Sequence, residues 1–267
     1  MTAFDKLEAL GNDFVVIDER AGARSWPDDA IRRIADRRLG VGCDQVLLLR
    51  RPRGRSALAV EIRNADGSAA EQCGNGMRAL AAWLRQRGEL TGGVRVETPA
   101  GPVSLRAADR AGEYTAELPG ARPLSAAELG LPEPPPLPGV VAARLISMGN
   151  PHLLLVVETP PDATMLDAAS ASLAQAPGWR DAVNIGLVQR SGADRIRLRV
   201  RERGSGPTPA CGSGACAAAW LALRELDVSA PVAVDQPGGT LVVDLGGGSG
   251  RIRTAGPAAV VFQGRIE

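Results

Sequence analysis

Two cysteines stand in near-identical settings. Cys73 opens Cys-Gly-Asn-Gly and Cys211 opens Cys-Gly-Ser-Gly, 138 residues further on. Each glycine-rich turn leads into an apolar run of alanine, leucine and tryptophan that reads as a central helix. A helix start carries unpaired N–H groups and the positive end of the dipole, both of which favour anions. A thiol placed there can fall from about 8.5 into a range of roughly 3.5–7.5 and act as a base. The N–H groups of Gly74-Asn75 and Gly212-Ser213 can hold a carboxylate, and the small side chains let a ligand approach the backbone. If the two helix starts converge on one cleft, a thiolate takes a proton from one face of an α-carbon. A thiol then returns one to the other face, inverting the stereocentre without a cofactor. Glu202 and His152, the only histidine, are candidates for tuning thiol protonation.

The spacing recurs along the whole chain. At 138 residues, Gly11-Asn12 pairs with Gly149-Asn150, and Arg63-Asn64 pairs with Arg201-Glu202. The segment from Val96 to Gly101 pairs with that from Val234 to Gly239 at the same spacing. Four matches in one unshifted register predict two homologous halves. Leu58, Val60 and Ile62 alternate with polar neighbours, as do Ile196, Leu198 and Val200, so each half holds half-buried strands. Ile31, Ile34, Ala35 and Leu39 follow helical spacing, with Asp28 or Asp29 as N-cap after Pro27. Residues 132–139 (PEPPPLPG) read as a linker, and residues 246–250 (GGGSG) as a flexible turn between strands. Short strands outnumber helices, which points to α+β.

Composition narrows the chemistry. Thirty-one basic residues against thirty acidic leave a net charge of +1, without the electrostatic footprint of a nucleic-acid or membrane-surface binder. Lys6 is the only lysine and lies in no context suited to a Schiff base or a phosphate loop. One histidine and four cysteines without a CxxC pair argue against a zinc site. With no secretory h-region and no stretch of 18 apolar residues, the chain reads as soluble and intracellular, its thiols reduced.

Several residues have an ordinary structural reading. Cys43 and Cys216 are expected to be small buried hydrophobes. Asn12 and Asn150 lie at turns, where asparagine often adopts a left-handed conformation. Arg203 in a charged strand would by default be solvated, and Trp83 with Trp220 would fill the core.

Six motifs give the chain a family likeness: LGNDFVVID (10–18), GxGxDQ (40–45), NADGSxxxQCGNGxR (64–78), SMGNPH (147–152), VN (183–184) and ERGxG…ACGSGACA (202–217). Together they resemble the diaminopimelate epimerase family from Lys6 to the Gln263-Gly264 region. The resemblance implies a two-lobed α+β fold, each lobe a curved mixed sheet around a central helix, with the active site in the cleft between them. Residues 1–118 with about 256–267 would form the first lobe, and 119–255 the second. It also implies a cytoplasmic, commonly homodimeric enzyme that needs no cofactor or metal. That enzyme interconverts LL- and meso-diaminopimelate for lysine and peptidoglycan synthesis.

Cys73 and Cys211 match the base and acid pair, and Gly74, Asn75, Gly212 and Ser213 match the carboxylate cradle. Asn12, Gln45, Asn64, Asn150, Asn184, Glu202 and Arg203 match substrate contacts, several at the distal end, while His152 and Glu202 match the tuning positions. Pro207 and Pro209 depart from the family pattern just before Cys211, as does Cys43 within GxGxDQ. The nearest alternative is a cofactor-independent racemase of another amino acid. A silent amino-acid-binding module would keep the site and exchange no hydrogen, and a redox switch would need a purposeful Cys73–Cys211 disulfide.

Overall fold

The computed structural model describes residues 1–22, 24–246 and 250–266. Residues 247–249 of the expected Gly246–Gly250 turn lie outside them. The chain forms two compact units, Met1–Leu118 with Ala255–Glu267, and Pro119–Thr254. In chain order the first half runs β1 (Thr2–Ala9), β2 (Asn12–Asp18), α1 (Asp28–Ala35), β3 (Gln45–Arg50), β4 (Leu58–Asn64) and β5 (Ala69–Ala70). It continues with α2 (Gly74–Gln86), β6 (Val94–Thr98), β7 (Gly101–Ala107) and β8 (Glu113–Pro119). The second half runs β9 (Arg122–Leu124), β10 (Val140–Ser147), β11 (Pro151–Val157), α3 (Ala163–Gln175), β12 (Asn184–Arg190) and β13 (Arg195–Glu202). It ends with β14 (Gly206–Thr208), α4 (Gly212–Glu225), β15 (Val232–Gln236), β16 (Gly239–Asp244), β17 (Arg251–Pro257) and β18 (Ala259–Ile266).

The duplication is visible in strand register. β4 pairs parallel with β6 through Leu58↔Val96, and β13 pairs parallel with β15 through Ile196↔Val234. Val96↔Val103 in the β6–β7 hairpin has its counterpart in Val234↔Leu241 of β15–β16. Within each unit the pairing is mixed: β2–β3 and β11–β12 are further parallel pairs, and the hairpins are antiparallel. The fold is therefore α+β.

The strands of each unit enclose one helix. α2 packs on β1, β2, β7 and β18, and α4 on β10 to β13, β15 and β16. Residues Gly74 to Leu84 are all buried, the pattern of a helix apolar on every side. In α4 a run of small residues, Ala215 to Ala219, is buried throughout and lets the strands close on its backbone.

Four readings of the sequence are corrected. α1 begins at Asp28 with Pro27 as N-cap, so Asp28 and Asp29 occupy the first turn rather than the cap. Leu39 lies past the helix and is 85% exposed, because Asp36 Oδ1 accepts the N–H of Arg38 and Leu39 and turns the chain away. Residues 132–139 do not link the two units: they lie inside the second, with Leu137 packed in its core. Trp83 is buried, its Nε1 donating to Asp5 at 2.8 Å. Trp220, offset by 137 rather than 138 residues, is half-buried beneath the Arg224 guanidinium, 3.9 Å from its ring centroid.

The return from α1 to β3 depends on a close approach at Gly40, where a Cβ would lie 1.9 Å from the Arg33 carbonyl oxygen. Gly88 after α2 has a φ of +74° but open space around it. Gly40→Ala should therefore cost at least about 3 kcal/mol in urea denaturation, against about 1 kcal/mol for Gly88→Ala. The reverse order would remove the close-approach argument.

Candidate active site

In the first unit, Cys73 caps α2. Its backbone is extended, and Sγ accepts the Gly76 N–H at 3.3 Å. Gly76 must stay small, since a Cβ there would touch Phe14 at 3.2 Å and Cys73 Sγ at 3.4 Å. The turn before β2 is taken by Gly11, with φ +80°, and not by the asparagine after it. That leaves the Asn12 side chain to face the helix start. Asn12 Oδ1 lies 4.0 Å from Cys73 Sγ and accepts from Asn75 Nδ2 at 3.4 Å. Asn75 is in turn held by Arg78, which is fully buried on α2 and donates to Asn75 Oδ1 at 2.5 Å.

At the neighbouring strand ends, Gln45 and Asn64 are register partners, and Gln45 Nε2 donates to Asn64 Oδ1 at 2.9 Å. Asn64 Nδ2 donates to Ser68. Gln45 Oε1 is buried with no partner among the described residues, an acceptor left for a ligand group.

The second unit repeats the frame with different side chains. Cys211 caps α4 and accepts the Gly214 N–H at 3.4 Å, while its own N–H donates to Gln236 Oε1 at 2.8 Å. Gly149 takes the left-handed turn at φ +97°, so the Asn150 side chain reaches Ser213 Oγ at 3.5 Å. His152 is fully buried, and its Nε2 lies 3.1 Å from both Asn150 Oδ1 and Ser213 Oγ. Its Nδ1 has no partner among the described residues. An orphaned acceptor costs less than an orphaned N–H, so the proton sits on Nε2 and is donated. Ser213 Oγ continues the chain to Cys211 Sγ at 3.5 Å. Asn184 is buried and accepts the Arg203 N–H at 2.9 Å, and Thr208 donates to Glu202 at 2.8 Å. The Arg203 side chain is exposed, with a distant contact to the Ala182 carbonyl at 3.5 Å.

The electrostatics correct one expectation. A helix N-terminus was expected to lower the thiols, but burial, and then the charge of Glu202, push Cys211 well above the ordinary range. The hydrogen bonds from Ser213 and Gly214 oppose this without reversing it. Enclosure outweighs those hydrogen bonds here. Burial alone pulls His152 down to about 3, so it stays neutral. Cys43 is a core residue whose thiol burial drives up to about 12, and Cys216 is buried within α4. Both fit the ordinary reading.

Residues that sequence reasoning did not single out also shape the site. Gln236 anchors the Cys211 N–H, and its signal was the segment from Val234 to Gly239 that echoes Val96 to Gly101. Asp44 binds Asn12 Nδ2 at 2.5 Å; it stands inside the GxGxDQ motif and was read only as part of it.

Solved structures share this architecture. A phenazine biosynthesis protein of the PhzF family from Bacillus anthracis matches with TM-score 0.72 and 16% identity, over 100% of this chain and 99% of that one. A probable proline racemase from Agrobacterium radiobacter K84 matches with TM-score 0.71 and 16% identity, over 100% and 93%. These likenesses define the class by fold alone, an α+β architecture that this chain shares over its whole length. A family model described as diaminopimelate epimerase matches residues 4–118 and 144–261. Curated relatives of that description from Xanthomonas euvesicatoria pv. vesicatoria (strain 85-10) and Xylella fastidiosa (strain M12) are 40% and 41% identical. Each alignment covers 98% of this chain and 95% of the relative. The chain belongs to the diaminopimelate epimerase family.

His152 gives a pH signature. Its folded pKa of about 3 lies below the ordinary 6.5, so the unfolded chain binds the extra proton. The stability it contributes is complete above about pH 6.5 and is lost as pH falls toward 3, by roughly 1.4 kcal/mol per pH unit. Urea midpoints should fall between pH 7 and 4.5, and His152→Gln should flatten that fall. Parallel pH slopes for the two proteins would count against a buried neutral imidazole.

Proposed function

We propose that the chain interconverts LL- and meso-diaminopimelate by direct proton transfer between Cys73, Cys211 and the substrate α-carbon. The observation that supports this most is the pair of cysteines in one register, each capping the enclosed helix of its half. Each thus has sulfur at a helix N-terminus, beside N–H groups suited to a carboxylate.

In one direction the Cys73 thiolate takes the α-proton, and the C–H electron pair remains on carbon. The charge spreads into the carboxylate, against the N–H groups of Gly74, Asn75, Gly212 and Ser213. The Cys211 thiol then donates its proton to the opposite face and becomes the thiolate, and the reverse reaction exchanges the roles. Burial beside Glu202 keeps Cys211 protonated, which suits the acid's part. His152 acts on Cys211 through Ser213 as a neutral donor, and Glu202 through its charge.

At the far end of the substrate, Arg203 suits a carboxylate and Glu202 an ammonium. Asn64, Asn150, Asn184 and the free Gln45 acceptor complete the contacts, and Asn12 serves the reacting end. On this reading residues 1–118 with 256–267 and residues 119–255 are lobes supplying one thiol each. The reaction needs no cofactor. The enzyme works in the cytoplasm as a homodimer, to be checked by sedimentation, and supplies lysine and peptidoglycan precursors. Among the described residues no helix is long and apolar enough to cross a membrane.

Incubation with LL-diaminopimelate in D₂O under reducing conditions should yield meso product carrying deuterium at Cα. A panel of other amino acids should exchange far more slowly, and preferential turnover of one of them would reassign the substrate. Cys73→Ser and Cys211→Ser should each reduce turnover by at least about 10³-fold, because a serine hydroxyl is a far weaker base than a thiolate. Full activity in either variant would end the two-thiol mechanism.

A further inference from the structure

We propose that Asp44 is a positioning residue: it locks the side-chain amide of Asn12 so that Oδ1, and not Nδ2, faces Cys73 and the start of α2. The inference rests on the epimerase reading for its consequence, but its geometry stands alone. A carboxylate can only accept, so the 2.5 Å contact between Asn12 and Asp44 Oδ2 must be made by Nδ2. Oδ1 is thereby turned toward Asn75 Nδ2 at 3.4 Å and Cys73 Sγ at 4.0 Å. An amide oxygen at that place accepts from a substrate ammonium, whereas a flipped amide would oppose it with N–H donors.

Asp44 is itself fixed. Its Oδ2 also accepts the Asp13 N–H at 3.1 Å, and its own N–H donates to Asp13 Oδ1 at 2.9 Å, a reciprocal bracket where β2 and β3 begin. Arg37 spans both carboxylates, at 2.8 Å to Asp13 and 2.7 Å to Asp44. Lys6 donates to Asp13 at 2.6 Å and also to the Gly42 carbonyl. Burial pushes the Asp13 carboxyl up, but hydrogen bonds from Arg37 and Lys6 prevail and hold it near 2. The only lysine of the chain thus anchors a carboxylate pair whose outer member sets the face of a substrate-binding amide. In the second unit the corresponding Asn150 is oriented by His152 instead, so the two halves fix their asparagines by different chemistry.

A swap tests this. In Asp44→Asn, Arg37 draws the new amide oxygen, Nδ2 of residue 44 turns to Asn12, and Asn12 flips. In Asn12→Asp, two carboxylates oppose each other. Each single variant should lose about tenfold or more in kcat/KM for α-hydrogen exchange. The double variant, with unchanged net charge and an acceptor facing Cys73 whichever way residue 12 turns, should return to within about threefold of the parent enzyme. Thermal melting of all three keeps folding apart from orientation, since a merely structural tether predicts lost stability and no recovery in the double variant. Unimpaired singles, or a well-folded double variant no better than the worse single, would overturn the proposal. Failure of the parent protein to exchange diaminopimelate would instead indict the functional reading. The amide is then followed without substrate, through the Asn12 side-chain NH₂ resonance. Its hydrogen exchange should quicken in Asp44→Ala, and an unchanged rate overturns the proposal.

Discussion

A helix enclosed by strands has few partners for its first N–H groups, so a cap from its own chain weighs heavily. In this fold a thiol supplies that cap twice. Cys73 accepts from Gly76 and Cys211 from Gly214. Serine, threonine or aspartate caps a helix better than sulfur does, so the choice of cysteine at both starts is unfavourable for the helix alone. The proposed function accounts for it, since sulfur adds a group that can take and return a proton. The glycine three residues on suits the same geometry, because a Cβ there would press on Phe14 at 3.2 Å in the first unit and on Val200 at 3.2 Å in the second.

The capped helix fixes how each sheet must close. β9 pairs with β10 through Ile146↔Pro123, and β18 pairs with β1 through Glu8↔Ala259 and onward to Thr2↔Ile266. β10 and β1 are equivalent strands at the 138-residue spacing, so β9 and β18 take equivalent places beside them. The first unit therefore completes its sheet with the last strand of the chain, and the second with a strand that directly precedes it. Without β18 the β1 edge would offer unpaired amides, and α2 would lose one of the four strands that enclose it. Gly264 shows how tight that closure is, since a Cβ there would lie 2.7 Å from the Phe4 ring.

Much of this was legible in the residue order. The 138-residue echo comes from a repeated backbone, and backbone repeats leave their glycines, strand patterns and caps in place. The two halves followed from it, while the strands β4 and β13 were read from alternation and the α+β class from short strands outnumbering helices. What failed turned on tertiary surroundings. Leu39 fits helical periodicity, yet Asp36 ends the helix before it by capping Arg38 and Leu39. The prolines from Pro132 to Pro138 look like a linker, but Leu137 finds a core and draws the segment into the second unit. The sign of the Cys211 shift could not be read locally, because a helix dipole is written in the sequence while enclosure and the approach of Glu202 are not. The bracket of Lys6, Asp13, Arg37 and Asp44 joins residues up to 38 positions apart, with no periodicity to announce it.

The two halves share a frame and differ in the side chains around each cysteine. Phe14 and His152 hold equivalent positions, as do Asn75 and Ser213, and Arg78 and Cys216. In the first half a buried arginine orders Asn75, and a carboxylate orders Asn12. In the second a neutral imidazole orders Asn150 and reaches the sulfur through Ser213. Two identical halves would offer a substrate identical surroundings, which suits a symmetric ligand. An α-carbon bears four different groups, and its two faces present the ammonium, carboxylate and side chain in opposite order. The proposed transfer at both faces calls for sulfurs in like frames with unlike neighbours, and the two caps, alike in register, differ in those neighbours.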